Sequence, residues 1–348
     1  MLSSHTTNEI RRVPLPNCCV CNAAGVELYQ ALHDRLFDAP GTWNVRLCPR
    51  SDCGLLWLDP MPVEDDLAKA YQTYFTHHRA SANVSMSRRI VRFLSEGYLA
   101  VRYGYNDTEI RFLQKILGRI AYLAPLRRPR LDFQLMYLPV QPGGRLLEIG
   151  CGNGEMLQIL RRAGWHAEGV DFDPVAINVA RDAGLPVALG TVEAQRYAND
   201  TFDAVTSSHT IEHLPHPARF LRECHRILKP HGRLAIVTPN SRSVGHRFFR
   251  QSWLHLDPPR HLHIFNPCSF HRLLVEAGFQ NIRIRTTIRD ADRLFTASRD
   301  IRRTGRHAWG SPQPFISRIA GTGFQLLEHL LVTVGIQTGE EIAVIAEK

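Results

Sequence analysis

The stretch Leu146-Leu147-Glu148-Ile149-Gly150-Cys151-Gly152-Asn153-Gly154-Glu155-Met156-Leu157 constrains the fold more than any other part of this chain. A short apolar strand runs straight into a loop with glycine at every second position, and a helix pattern follows. Glycine accepts positive φ and lets backbone amides come close to a ligand. The helix behind the loop aims its unsatisfied N–H groups at the same spot. Such a unit marks several nucleotide-binding folds. Its spacing is G-x-G-x-G rather than the G-x-G-x-x-G of dinucleotide folds, which disfavours a nicotinamide oxidoreductase.

From Arg145 onward strand and helix patterns alternate, which predicts a doubly wound α/β sheet. The strand cores are Leu146–Ile149, Ala167–Val170, Val187–Leu189, Ala204–Ser207, Leu234–Val237 and Ile282–Ile284, with Glu341–Ala346 as the last strand. Asp173-Pro174 and Asn266-Pro267 each place a capping side chain before a proline at the first helical position. Gly164, Gly184 and Gly278 stand where helix C-caps belong. Asp171 ends the second strand about twenty residues after the glycine loop. An acid there accepts hydrogen bonds from ribose hydroxyls, and Phe172 beside it can lie against an adenine ring.

The N-terminal part carries Cys18-Cys19-Val20-Cys21 and, 26 residues further on, Cys48-Pro49-Arg50-Ser51-Asp52-Cys53. Two such knuckles resemble a zinc ribbon with Cys18, Cys21, Cys48 and Cys53 as ligands, Cys18 being preferred to Cys19 for its two-residue spacing. Eight cysteines, clustered there or scattered singly, predict a reducing compartment rather than a disulfide framework. The polar segment Met1 to Arg12 lacks the apolar run of a secretion signal. Glu64 to His77 reads as a helix with Leu67, Tyr71 and Tyr74 on one face.

Net charge is +9, and the segment Asn83 to Leu131 alone holds ten Arg/Lys against three Asp/Glu. Two helical patterns there show apolar faces: Ile90, Val91, Phe93, Leu94 and Leu99, then Ile110, Leu113, Ile116, Leu117 and Ile120. Their polar faces carry Arg88, Arg89, Arg92, Arg102, Arg111, Lys115 and Arg119. Two readings stand: solvated helices over the main domain, or a basic surface for an anionic substrate or lipid. A charged stretch after Thr287 leads to an apolar helical pattern through Ile316, Ile319, Phe324, Leu327, Leu331 and Val334, expected to pack against the first helical segment.

Residues 145–285 resemble the class I S-adenosylmethionine-dependent methyltransferases. The matching pieces, in order, are LLEIGCGNGEML, GVDFDP, FDAV, HTIEHLPHP, LRECHRILKPHGRLAIVTPN and LVEAGF. The cysteine pairs followed by CGLLWLDPMP resemble the zinc-ribbon segment on a subset of these enzymes that includes sugar C-methyltransferases. The resemblance implies a seven-stranded, Rossmann-like sheet with a small N-terminal zinc ribbon and helical inserts. The expected division is a disordered tail 1–16, the ribbon-like segment 17–62, a basic helical cap 63–140, the methyltransferase core 141–287, a helical insert 288–339 and the final strand 340–348. It also implies a cofactor site: Glu148, Gly150, Cys151, Gly152, Asn153 and Gly154 around the methionine and ribose, Asp171 on the ribose, Phe172, Val192 and Glu193 at the adenine, and Ser208 and His209 at the methionyl group.

The sulfonium methyl is already electrophilic, so positioning matters most, and a base is needed only for a hydroxyl or carbon-acid acceptor. His213, after the fourth strand, is the first base candidate, set against a structural histidine. His261 and Arg260, in the loop after the fifth strand, are second, and His255, His261 and His263 are a weaker metal candidate. The expected activity is S-adenosylmethionine-dependent methyl transfer to a small-molecule or a glycan- or lipid-linked acceptor, with a structural Zn²⁺. The expected place is the cytosol or the inner membrane surface. The rival is a non-catalytic protein binding nucleic acid or cofactor through the ribbon and basic helices.

Overall fold

The computed structural model describes residues 9–71, 86–105, 112–310 and 312–348. Expectations for Tyr74, His77, Ile110, Arg111 and residues 1–8 lie outside these, as do those for the side chains of Arg88 and Arg89. The strands are β1 (Arg12–Val13), β2 (Val26–Leu32), β3 (Trp43–Leu47), β4 (Leu56–Leu58), β5 (Met61–Pro62), β6 (Arg145–Ile149), β7 (His166–Asp171), β8 (Val187–Leu189), β9 (Phe202–Ser208), β10 (Leu228–Pro239), β11 (His263–Ile264), β12 (Gln280–Thr287) and β13 (Glu341–Glu347). The helices are α1 (Met86–Tyr103), α2 (Phe112–Gly118), α3 (Arg128–Phe133), α4 (Glu155–Arg162), α5 (Pro174–Asp182), α6 (Pro217–Ile227), α7 (Val244–Phe249), α8 (Pro267–Glu276), α9 (Ala291–Thr304) and α10 (Phe315–Thr333).

Seven strands form the main sheet in the order β12-β13-β10-β9-β6-β7-β8. Strands β10, β9, β6, β7 and β8 are parallel, and β13 runs antiparallel to both its neighbours. All seven expected strands are present, and the expected caps hold. The Asp173 side chain accepts from Val175 and Ala176 N–H, and Asn266 forms a capping box with Ser269. Strand β6 lies between β7 and β9. The loops after these three strands therefore meet at one edge, where open α/β sheets bind ligands.

A second sheet, ordered β11-β4-β3-β2, contains the N-terminal strands. Its edge strand β11 comes from the loop after β10, pairing His263 with Trp57 and Ile264 with Leu56. The cysteine-bearing segment is thus not a self-contained unit. Cys18, Cys48, Cys53 and Trp57 share a core with Leu147, Ile149, Phe265 and Phe270. The expected disordered tail is also corrected over residues 9–16. Ile10 is buried, β1 pairs with β5, and Arg11 donates to Asp66 from its backbone and its guanidinium. These partners lie about fifty residues away in sequence and leave no local signature.

The helical segments depart from their expected faces. Ile90, Val91, Leu113, Ile116 and Ile120 are exposed, while Tyr98, Leu99 and Gln114 are buried. The cause is a glycine crossing. A Cβ on Gly97 would sit 2.1 Å from the Gln114 carbonyl oxygen, and one on Gly118 would sit 2.3 Å from Gly97 C. Helices this close have no room for the large side chains, which turn outward. Helix α10 behaves likewise. Ile316, Ile319, Leu327 and Val334 face out, and Ser317, Gly321, Gln325 and Glu328 face in around Phe324. A Cβ on Gly321 would meet the Asp292 carbonyl oxygen at 2.5 Å. Helix α10 packs on α9, and this pair is tied to the first helical segment by Arg130, which holds Asp290 at 2.8 Å and Asp292 at 2.9 Å. No described helix is long and apolar enough to cross a membrane.

Gly97→Ala should lower stability by about 1–3 kcal/mol, because backbone must move and the helix-propensity gain of about 1 kcal/mol is smaller than overpacking at backbone contact. Urea unfolding checks this; an unchanged or raised midpoint would contradict the crossing.

Candidate active site

Strand β6 delivers Glu148 and Ile149 to the glycine loop, whose Gly150, Gly152 and Gly154 all have positive φ (76°, 51° and 80°). A Cβ on Gly150 would strike Thr210 Oγ1 at 2.1 Å, and one on Gly154 would strike Leu185 at 2.3 Å. Beside Gly152 nothing lies within 4 Å, so that backbone borders open space. Asp171 at the end of β7 accepts from Gly152 N–H at 2.8 Å and from Asp173 N–H at 2.9 Å. Burial raises its pKa, and these bonds oppose the rise.

A cleft of about 140 Å³ runs over this edge. Gly150, Asp171, Phe172, Val192 and Glu193 line it. Of the other expected cofactor residues, Glu148 and Cys151 lie buried just behind it. Asn153 Oδ1 accepts from Glu155 N–H at 3.3 Å, and Ser208 ends β9. Glu64, Thr210, His216 and Arg219 also line the cleft and were not foreseen. Glu64 arrives from the N-terminal part with no local signal, whereas Thr210 and His216 stand within the HTIEHLPHP motif. Tyr71, seven residues after Glu64, meets the Phe172 ring edge-on with centroids 5.5 Å apart.

Glu148 tests whether an adenosyl amino acid suits the cleft. Its Oε2 is buried without a hydrogen-bond partner among the described residues. A buried carboxylate in that state calls for a donor from outside the chain. The open backbone at Gly152, the acid at Asp171 and the unpartnered Glu148 together fit a nucleoside bearing hydroxyls and an ammonium.

Beyond the end of β9 lies a histidine-lined cavity. His209, at φ 50°, contacts Glu212 Oε1 through Nδ1 at 3.1 Å and Glu341 Oε1 through Nε2 at 2.9 Å. Arg289 Nε donates to Glu341 at 2.8 Å. Burial alone would lower the His209 pKa, but the two carboxylates outweigh it and raise it to about 9. Two carboxylates, one imidazolium and one guanidinium then balance in charge. His209 is thus committed to its partners beneath, although its ring still borders the cavity.

His213 and His261 meet across this cavity with ring centroids 4.8 Å apart. His213 Nδ1 lies 3.0 Å from the Arg260 carbonyl oxygen and 2.9 Å from Tyr71 Oη. His261 Nδ1 lies 2.7 Å from the His255 carbonyl oxygen. A carbonyl can only accept, so both rings carry a proton on Nδ1. Burial and the neighbouring His261 lower the His213 pKa to about 4, which keeps it neutral. Leu36, Phe37, Leu254, Leu294 and Trp309 form apolar walls.

Two expectations are corrected here. Arg260 is fully buried, and its guanidinium is spent on Asp34 and Asp257; it holds the loop rather than reaching an acceptor. His263 does not join His255 and His261, because β11 places its ring against Pro215 and Cys19. The four cysteines Cys18, Cys21, Cys48 and Cys53 do converge, with all sulfurs within 4.8 Å of one another. Cys19 turns away toward His263.

Burial, with the Asp171 charge, pushes Glu148 up to about 8. An acid that binds its proton more tightly when folded contributes fully below its unfolded pKa, and the contribution is lost as pH rises through the folded value. The window is therefore about pH 4.5 to 8. Ligand-free Glu148→Gln should lose less thermal stability than wild type across it. Melting curves that run parallel would contradict the burial of an unpartnered acid.

A family profile described as "Methyltransferase domain" matches residues 111–284, half of the chain. Two curated relatives are named ubiquinone biosynthesis O-methyltransferase. The one from Xylella fastidiosa is 35% identical over 127 residues, covering 34% of this chain and 50% of the relative. The one from Pseudomonas aeruginosa is 32% identical over 113 residues, covering 30% and 49%. The chain thus spans about half the length of the curated relatives it matches. A solved structure of a SAM-dependent methyltransferase from Archaeoglobus fulgidus aligns with 65% of this chain and 94% of its own, at 21% identity and a TM-score of 0.42. With its matched domain, seven-stranded sheet and glycine loop, the chain belongs to the methyltransferase domain family, the class I S-adenosylmethionine-dependent methyltransferases.

Proposed function

We propose that this chain moves a methyl group from S-adenosylmethionine to a hydroxyl of a small molecule held in the histidine-lined cavity. The observation that carries the reading is Asp171 lining the cleft and bound to Gly152 N–H, with the buried, unpartnered Glu148 behind it. The bound cofactor supplies an electrophilic methyl. Asp171 takes the ribose hydroxyls, Phe172 lies against the base, and Glu148 receives an ammonium donor. Ser208 ends β9 and His209, which borders the histidine-lined cavity, follows it. His213 and His261 turn toward the acceptor hydroxyl. The curated relatives' O-methyltransferase name supports oxygen as the acceptor atom, and the walls from Phe37 to Trp309 suit an apolar, ring-bearing molecule. The same cavity leaves room for a glycan- or lipid-linked acceptor. The nucleic-acid alternative is disfavoured by the intact cofactor cleft.

The same reading includes a structural Zn²⁺ on Cys18, Cys21, Cys48 and Cys53, a ribbon-like segment of the kind also found on sugar C-methyltransferases. Four converging thiols with no disulfide among them support it. Exposed Phe112, Leu113, Leu123, Phe315 and Ile316, on helical elements tied to the Arg127-to-Arg130 cluster, support contact with an anionic membrane surface from the cytosolic side.

Calorimetry with S-adenosylhomocysteine tests the main reading. Wild type should bind, and Asp171→Ala should bind at least tenfold more weakly; equal affinities would overturn it. For the ribbon, thiol modification of the wild type should release one zinc equivalent. Cys48→Ser should lose that zinc together with several degrees of thermal stability. Zinc release that is undiminished in Cys48→Ser would remove the reading.

A further inference from the structure

We propose that Glu212, His213 and His261 form a second divalent-metal site, of the two-histidine, one-carboxylate kind, whose open positions face the acceptor cavity. Nitrogen or oxygen atoms from these three side chains lie within 4.8 Å of one another. Metal bonds of about 2.1 Å place tetrahedral ligands roughly 3.4 Å apart. Closing the set asks for movements of about an ångström, within the reach of side-chain rotation.

The second shell is already built. Metal-ligating histidines characteristically donate their other ring N–H to a carbonyl or carboxylate, which fixes tautomer and ring orientation. His213 does this to Arg260 and His261 to His255. No hydrogen bond among the described residues engages either Nε2. Glu212 is fully buried and held by His209 on one oxygen and by Thr238 Oγ1 at 3.0 Å on the other. Each of its oxygens keeps a lone pair. His255 adds an independent sign: it is 9% exposed, lines the same cavity, and its Nδ1 is buried without a partner among the described residues.

Arg260 with Asp34 and Asp257 leaves one negative charge at the cavity wall. Two imidazoles and a carboxylate suit borderline cations such as Zn²⁺, Co²⁺ or Fe²⁺. The metal's role rests on the methyl-transfer reading. The acceptor hydroxyl would bind the open position and ionise, its proton leaving to water. The oxygen's electron pair then forms the O–C bond while the S–C pair returns to sulfur. In this scheme His213 is a ligand rather than the base.

The test uses the full chain with its cysteine-bound metal in place, Co²⁺ as the probe, and calorimetry with S-adenosylhomocysteine in parallel. Wild type should take up one Co²⁺ equivalent without the intense near-ultraviolet bands of thiolate ligation. His261→Ala and Glu212→Gln should each weaken that uptake at least tenfold, with S-adenosylhomocysteine affinity kept in His261→Ala. Wild type that takes up no such equivalent overturns the proposal without any variant, and so does equal uptake by wild type and both variants. Loss of S-adenosylhomocysteine binding in wild type would instead strike the methyl-transfer reading alone, since the metal uptake is read separately.

Discussion

The histidine-lined cavity hangs on one buried cation. Arg260 lies between Asp34, whose two oxygens it meets at 2.7 and 2.8 Å, and Asp257 at 3.0 Å. Asp34 also accepts the backbone N–H groups of Leu36, Phe37 and Ala39. One carboxylate therefore closes the loop that carries Phe37 and clamps it to the loop that carries His255 and His261. The Phe37 ring lies 4.8 Å from the guanidinium carbon. A buried pair of this kind adds little over an apolar replacement, but removing one member strands a charge at a cost of about 3–5 kcal/mol. Its value here is positional: it fixes which side chains can meet.

The placement of the glycine loop and Asp171 at one sheet edge was legible because its determinants are local. The glycine loop, Asp171, Phe172 and the capped helices are each written within a dozen residues. The histidine-lined cavity was not, because it is assembled from distant parts. Asp34 and Arg260 are 226 residues apart, and Tyr71 reaches His213 across 142. The apolar faces of α1 and α10 were read from helical period alone. That period cannot show that Gly97, Gly118 and Gly321 would bring backbones into contact and turn the large side chains outward.

Histidine was the least decidable residue type. His209, His213 and His261 share one cavity, yet their states follow from their partners. His209, between two carboxylates, is held charged. His213, buried beside His261, is held neutral. His263, only two residues after His261, is held by the β4–β11 pairing with its ring against Pro215 and Cys19. The motif that contains His209 and His213 predicts proximity to the cleft but not protonation, which depends on Glu341 and His261 from elsewhere in the chain.

The pairing of β4 with β11 also bears on synthesis. The first strands made must wait until residues 263–264 leave the ribosome before their sheet has its fourth member. Until then Leu56, Trp57 and the cysteine loops expose apolar and thiol surface with no partner. Pairings of such sequence separation form slowly and leave edges open to association. Only the return of residues 263–264 to Leu56 and Trp57 closes that surface, so the segment's sheet is finished late in synthesis.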